Sequence, residues 1–316
     1  MDFLWPIKWL IELLLVSFHT LFTAIGLPSD QGITWVLAIV GLVALVRAAL
    51  IPVFVKQIVS QRNMLQVQPE LQKLQKKYKG KNDPESRKEF AEAQMALYKK
   101  HNTNPLASCL PLLIQMPVFT GLFFVLNEAQ HSTAGVGLLT KDLAASFAKS
   151  ELFGAPLKDT FLNSSSLAVK ILAAVMIIAM TASQFITQRQ ILAKNQNPAV
   201  MTSQYMQTQK IMMYIFPIMF MISGISFPLG VMFYWLTSNF WTMGQQFLVI
   251  RNMPTPGSEA YRQWEVRQAK KSDRKKARRG EAILSAEIAI EEAVEAAVTT
   301  QRAQPVSKNR SKKKSK

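Results

Sequence analysis

The sequence holds one cysteine, Cys109, and three histidines, His19, His101 and His131, in 316 residues. A single cysteine excludes an internal disulfide framework and every paired-cysteine metal spacing. Three scattered histidines argue against a His-rich metal site, and no cofactor is expected. Charge is also sparse. Only 18% of residues are Asp, Glu, Lys or Arg, where a soluble chain carries about a quarter. Phosphate-binding glycine motifs are absent as well, so no nucleotide site is read. What is present is apolar, 49% of the chain, yet Lys and Arg outnumber Asp and Glu by 37 to 20. That combination disfavours a secreted disulfide scaffold, a zinc enzyme and a disordered chain. It fits a membrane protein with basic cytoplasmic parts.

The apolar residues come in blocks. About 20 mostly apolar residues cross the hydrocarbon core as a helix, and five stretches qualify: 33–55, 106–127, 167–188, 211–227 and 229–250. The first is interrupted by Arg47 and the third carries Lys170 near one end; the other three are uncharged. Pro52, Pro111, Pro117, Pro217 and Pro228 lie in or beside these runs and predict kinks, which membrane helices tolerate. Pro228-Leu229-Gly230 predicts a tight turn between the last two. The fold class is an all-α polytopic membrane protein with five spans.

The connecting segments set an orientation. Residues 56–105 hold 11 basic and 5 acidic residues, 189–210 hold 3 basic and none acidic, and 251–316 hold 17 basic and 8 acidic. Residues 127–166 hold 3 basic and 4 acidic. Cytoplasmic loops carry the Lys/Arg excess. Five spans place all three basic segments on that side and leave 128–166 as the extracytoplasmic loop of a multi-pass plasma-membrane protein.

The flanking pieces differ from the spans. In residues 1–32, Lys8, Glu12, His19 and Thr23 fall on one narrow helical face, with Trp5 and Trp9 as interfacial anchors. This predicts an amphipathic helix on the outer membrane surface, with a signal-anchor span as the alternative. Residues 56–105 read as a cytoplasmic helical hairpin. Met64, Leu71, Leu74 and Tyr78 form its stripe, Pro69 predicts a bend, Gly80 a stop, Asp83-Pro84-Glu85 a second start, and Asn104-Pro105 an end. The tail, 251–316, is read as basic and largely disordered. Its basic stretches are 267–279 and 308–316, and 281–298 is able to form a helix. Such runs bind ribosomal RNA, anionic lipid or acidic protein. No base-reading motif points to DNA.

Arg47 needs a physical account. A charge inside a span costs about 2.5–3.5 kcal/mol even on the lenient scale. It either snorkels to the headgroups or faces a water-filled groove, and the span's end at Val55 lies roughly 12 Å away at 1.5 Å per residue. No acidic residue in any span pairs with it. Other polar residues able to line a groove are Gln115 in the second span, Thr181, Ser183 and Gln184 in the third, and Thr237, Ser238, Asn239, Gln245 and Gln246 in the fifth. Interhelical hydrogen bonding is the plain alternative for them.

The ordered set Trp5-Pro6-Ile7-Lys8-Trp9, Val46-Arg47 with Ile51-Pro52, Gln61-Arg62, 71–78, Asn104-Pro105-Leu106, 112–117 and Tyr234-Trp235 resembles the YidC family of membrane protein insertases, in an actinobacterial-like form. The resemblance spans most of the chain. It implies a five-helix core whose hydrophilic groove opens to cytoplasm and lipid, with Arg47 as groove arginine and Gln115 and Trp235 beside it. The implied function moves hydrophobic segments of nascent proteins into the membrane without nucleotide hydrolysis. The implied partners are those proteins, lipid, the Sec translocon, and the ribosome and signal-recognition machinery. With Cys109 placed in the second span, no lipid-modified cysteine is expected near the N-terminus. A membrane enzyme lacks a nucleophile–base pair in this sequence. A small-solute transporter or channel is the alternative, and no internal repeat supports it.

Overall fold

A computed structural model describes residues 4–81, 83–101, 110–195 and 203–299. Asn104-Pro105, Cys109 and the run 308–316 lie outside them. The chain is all-helical apart from one two-stranded hairpin. The elements are α1 (Trp5–Ala24), α2 (Gly32–Ala49), α3 (Ile51–Tyr78), α4 (Pro84–Lys100), α5 (Leu110–Gln130), α6 (Lys141–Lys149), β1 (Glu151–Leu152), β2 (Ala155–Pro156), α7 (Leu167–Lys194), α8 (Ser203–Ser226), α9 (Leu229–Asn252) and α10 (Glu259–Thr299). Among the described residues α1, α2 and α7 are long and apolar enough to cross a membrane. The protein is a polytopic all-α membrane protein.

Residues Met1–Tyr261 form one compact unit. In it α9 packs on α2 and α7, α7 on α8, and α1 on α2 and α5. Trp35, Leu42, Leu126, Met176, Met180 and Leu229 are fully buried at these crossings. The rest of the chain, from Arg262, is a second unit. It carries most of α10, whose side chains from Glu265 to Val294 are all exposed.

The run 33–55 is two helices, not one. Pro52 has no N–H to donate to the carbonyl four residues back, so α2 stops at Ala49 and α3 begins at Ile51 with Pro52 in its first turn. Arg47 therefore sits in the last turn of α2. Pro69 lies inside α3, which continues on both sides of it. The hairpin of α3 and α4 carries its sequence signals in place. Gly80 turns with φ +86°, and the Asp83 side chain caps α4 by accepting from the Ser86 amide at 2.7 Å. Tyr78 meets Phe90 edge-on at 5.7 Å, and Lys100 pairs with Glu70 at 3.2 Å.

Three features depart from the sequence reading. Within the tail, α10 runs 41 residues from Glu259, more helix than the stretch 281–298, because Ala, Glu, Lys and Arg favour helix and no proline interrupts them. The loop 128–166 contains α6 and the β1–β2 hairpin, whose turn places Phe153 and Gly154 at φ +54° and +73°.

The third departure concerns α1. Its polar face is not turned to water; it is turned into the protein. Lys8, Glu12 and His19 are 5%, 0% and 2% exposed, while Trp5, Leu10 and Leu21 face outward. Lys8 Nζ donates to Glu128 Oε1 at 2.5 Å. The Glu12 carboxylate accepts from the backbone amides of Val136, Gly137 and Leu139 at 2.8, 2.7 and 3.3 Å. His19 Nε2 bonds the Ser29 carbonyl at 2.9 Å and its ring stacks on Trp35 at 3.9 Å. A burial cost that water would have avoided is offset here by partners from the end of α5, the loop after it and the loop before α2.

Candidate functional site: a polar cluster between α2, α5 and α9

The last turn of α2, the middle of α5 and the first half of α9 bring polar side chains together. The Arg47 guanidinium donates through Nη2 to Ser238 Oγ and lies over the Phe54 ring, 5.6 Å from its centroid. Tyr234 is one turn before Ser238 on α9, so both face the same way. Its hydroxyl accepts from Gln115 Nε2 at 2.5 Å. Tyr234 and Ser238 are 3% and 5% exposed, and Arg47 is half-buried. Among the described residues no carboxylate lies within ion-pair distance of Arg47. The cluster therefore holds one cation among neutral hydroxyl, amide and aromatic groups.

An aromatic layer adjoins it toward the Pro228 end of α9. Trp235 stacks on Phe119 of α5, ring centroids 5.1 Å apart and planes within 4°. Phe227 meets Trp235 edge-on at 4.8 Å, and Phe123 meets Phe227 edge-on at 5.8 Å. That end is tied to the loop after α6: the amides of Leu229 and Gly230 donate to the carbonyls of Asp159 and Leu157 at 3.0 and 2.9 Å.

Of the residues singled out in the sequence, Arg47 and Gln115 meet in this cluster through Tyr234 and Ser238. Trp235 is beside it but belongs to the aromatic layer. Asn239, next to Ser238, keeps its Nδ2 buried with no hydrogen-bond partner among the described residues. Gln184 is half-buried on α7 and no hydrogen bond joins it to Arg47 among the described residues. Ser183 and Thr187 bond back to helix carbonyls, as isolated hydroxyls in helices do. Tyr234 went unread as a polar residue. Its signal was its place four residues before Ser238. An apolar slot of about 480 Å³ between α7 and α8, lined by Ile177, Phe185, Met213, Tyr214 and Met221, is separate. Among the described residues no group of three or more His, Cys, Asp or Glu side chains gathers where a metal ion would be held.

These features, a multi-helix membrane bundle with a buried arginine cluster, define a class, and comparison with known proteins gives it a family. The sequence pattern of the 60Kd inner membrane protein family matches residues 27–256, and the chain belongs to that family. Proteins named membrane protein insertase YidC are similar to it. The one from Streptomyces avermitilis is 47% identical over 264 residues, covering 81% of this chain and 59% of its own length. The one from Tropheryma whipplei is 42% identical over 272 residues, covering 82% and 87%. The one from Bifidobacterium longum is 34% identical over 316 residues, covering 97% and 94%. All are actinobacterial. The chain thus spans less than two thirds of the Streptomyces relative's length.

Proposed function

We propose that this protein is an insertase that moves hydrophobic segments of nascent proteins from the cytoplasm into the plasma membrane, and that it is not an enzyme. The observation that carries the reading is the half-buried Arg47 held by neutral partners between α2, α5 and α9. A cation in such a place is stable if water reaches it, and it then attracts acidic groups on a passing chain. The groove opens to the cytoplasm and to lipid, with Arg47, Gln115, Gln184 and Asn239 lining it and Trp235 at its closed end.

In this mechanism the short hydrophilic flank of a substrate enters the groove. Water and Arg47 lower its desolvation cost. The apolar segment then slides into lipid along α2, α5 and α9. Burial of apolar surface, roughly 25 cal/mol per Å², drives the step, so no nucleotide is consumed. The α3–α4 hairpin and the basic tail face the cytoplasm, where ribosome and signal-recognition machinery deliver the chain, and the Sec translocon is the neighbouring partner.

The test uses proteoliposomes containing only this protein and a single-span substrate with a short acidic outer flank. Protease-protected insertion is scored for the parent, Arg47→Ala and Arg47→Lys. Insertion by the parent, a loss of about tenfold in Arg47→Ala and recovery in Arg47→Lys support the groove charge. Equal insertion by all three removes Arg47 from the mechanism. Insertion no better than in empty liposomes removes unaided insertase activity.

A further inference from the structure

Helix α10 divides into two halves of opposite charge. Residues 262–279 carry 9 basic and 2 acidic side chains; residues 281–299 carry 5 acidic and none basic. Gly280 stands between them, inside the helix, with open space where a Cβ would be. At 100° per residue, Lys270, Lys271, Arg274, Lys275, Arg278 and Arg279 all fall within one half of the helix circumference. Glu265 and Asp273 fall in the other half. The six cations are exposed, and so is every residue around them. Residues 270–279 thus carry a mainly one-sided cationic face about 15 Å long, with Arg262 and Lys276 off it.

The start of α10 is held at one end of the membrane bundle. Six residues separate it from α9, and they are fastened. The Thr255 amide donates to Asn195 Oδ1, at the end of α7, at 2.8 Å, and Ser258 is fully buried. Ser258 Oγ caps α10 by accepting from the Tyr261 amide at 3.2 Å. The cationic segment follows that anchor directly in the chain, so its tether is short.

We propose that this face docks on the anionic phospholipid headgroups surrounding the bundle, and that Gly280 is the point where the acidic half leaves the surface. Three features favour lipid over nucleic acid. The face is flat-sided, with its acids behind it. Residues 262–279 hold one aromatic side chain, Trp264, at their start and none among the cations from 267 onward, where single-stranded RNA binding by stacking would need several. The sign change at Gly280 suits a plane of negative charge, which holds one half and repels the other. The inference requires only that α7 and α9 end at a bilayer surface; it stands or falls separately from the insertase reading.

The experiment uses the full chain in nanodiscs of phosphatidylcholine, with or without phosphatidylglycerol, and hydrogen exchange of the α10 peptides. Amides in 262–279 are expected to exchange about fivefold more slowly with the anionic lipid, and the gain is lost at high salt. Peptides beyond Gly280 exchange equally in both discs. Two variants of equal charge change separate a face from bulk charge: Arg274→Gln with Arg278→Gln on the face, and Arg262→Gln with Lys276→Gln off it. The on-face pair is expected to bring the lipid effect below about twofold, and the off-face pair to leave it intact. Equal loss in both pairs, equal exchange in both lipids, or protection that appears only when ribosomes are added overturns the proposal.

Discussion

Two regions bury cations in helical walls, and they treat them differently. Around α1 every buried charge has a partner: Lys8 has Glu128, and Glu12 has three backbone amides. Between α2, α5 and α9, Arg47 has a serine hydroxyl and a phenyl ring. The first arrangement is what a folded protein does with polar groups it must bury. The second leaves a charge with no carboxylate partner among the described residues. The two clusters should therefore fail in different ways, one in stability and the other in activity.

The largest stability effect is expected for Glu12→Ala, which strands three amides and should cost about 2–4 kcal/mol in denaturant unfolding in micelles. Activity per folded molecule should stay within about twofold, since the three amides are structural. Gly135→Ala should come next. Its Cβ would stand 2.3 Å from Glu12 Oε1, so the loop must move, at about 1–3 kcal/mol. Arg47→Ala should leave unfolding within about 1 kcal/mol of the parent, because no buried acid loses a partner. If it unfolds the protein instead, the contrast between the regions is gone. Tyr234→Phe removes the acceptor of the Gln115 bond and should lower insertion about two- to threefold in proteoliposomes without moving the midpoint.

The smallest effect lies in the hairpin. His101 and then Lys100, bonded to Glu70, hold its carboxyl below the ordinary 4.5 of a glutamate. A depressed carboxylate contributes stability that is present above its unfolded value and fades as pH falls through the folded one. Glu70 should thus titrate at lower pH than the exposed glutamates in a carbon-detected NMR titration, and Lys100→Gln should raise it. No change on that substitution removes the pair from the hairpin's support.

The apolar runs were legible because a span is set by length and hydropathy, which are local. Asp83 and Gly80 were legible for the same reason: a cap is a property of four residues. Pro52 was read as a kink within a span, but its missing N–H ends α2, and that moves Arg47 to a helix end. Of the four residues on one face of α1, Lys8, Glu12 and His19 are buried together, while Thr23 is half-buried and bonds back to the His19 carbonyl. What Lys8 and Glu12 face lies more than a hundred residues later, at the end of α5 and in the loop after it, which no local pattern contains. The site was half visible. Arg47 stood out as a charge without a partner, and Gln115 as an amide in an apolar run. Tyr234 joined them only when α5 and α9 were brought side by side.

The aromatic layer has an electrical consequence. A notch of water reaching deep into a bilayer shortens the path for protons, and a bacterial membrane stores its energy as a proton gradient. Phe119 and Trp235 lying face to face, with Phe227 set edge-on against them, present one indole N–H and otherwise only carbon to that path. Such a disc offers no chain of hydrogen bonds for a proton to hop along. Under the proposed reading, these three rings add apolar thickness beyond the arginine. If the proposed groove carries water to Arg47, Trp235→Ala should raise proton leak through liposomes holding the protein without unfolding it.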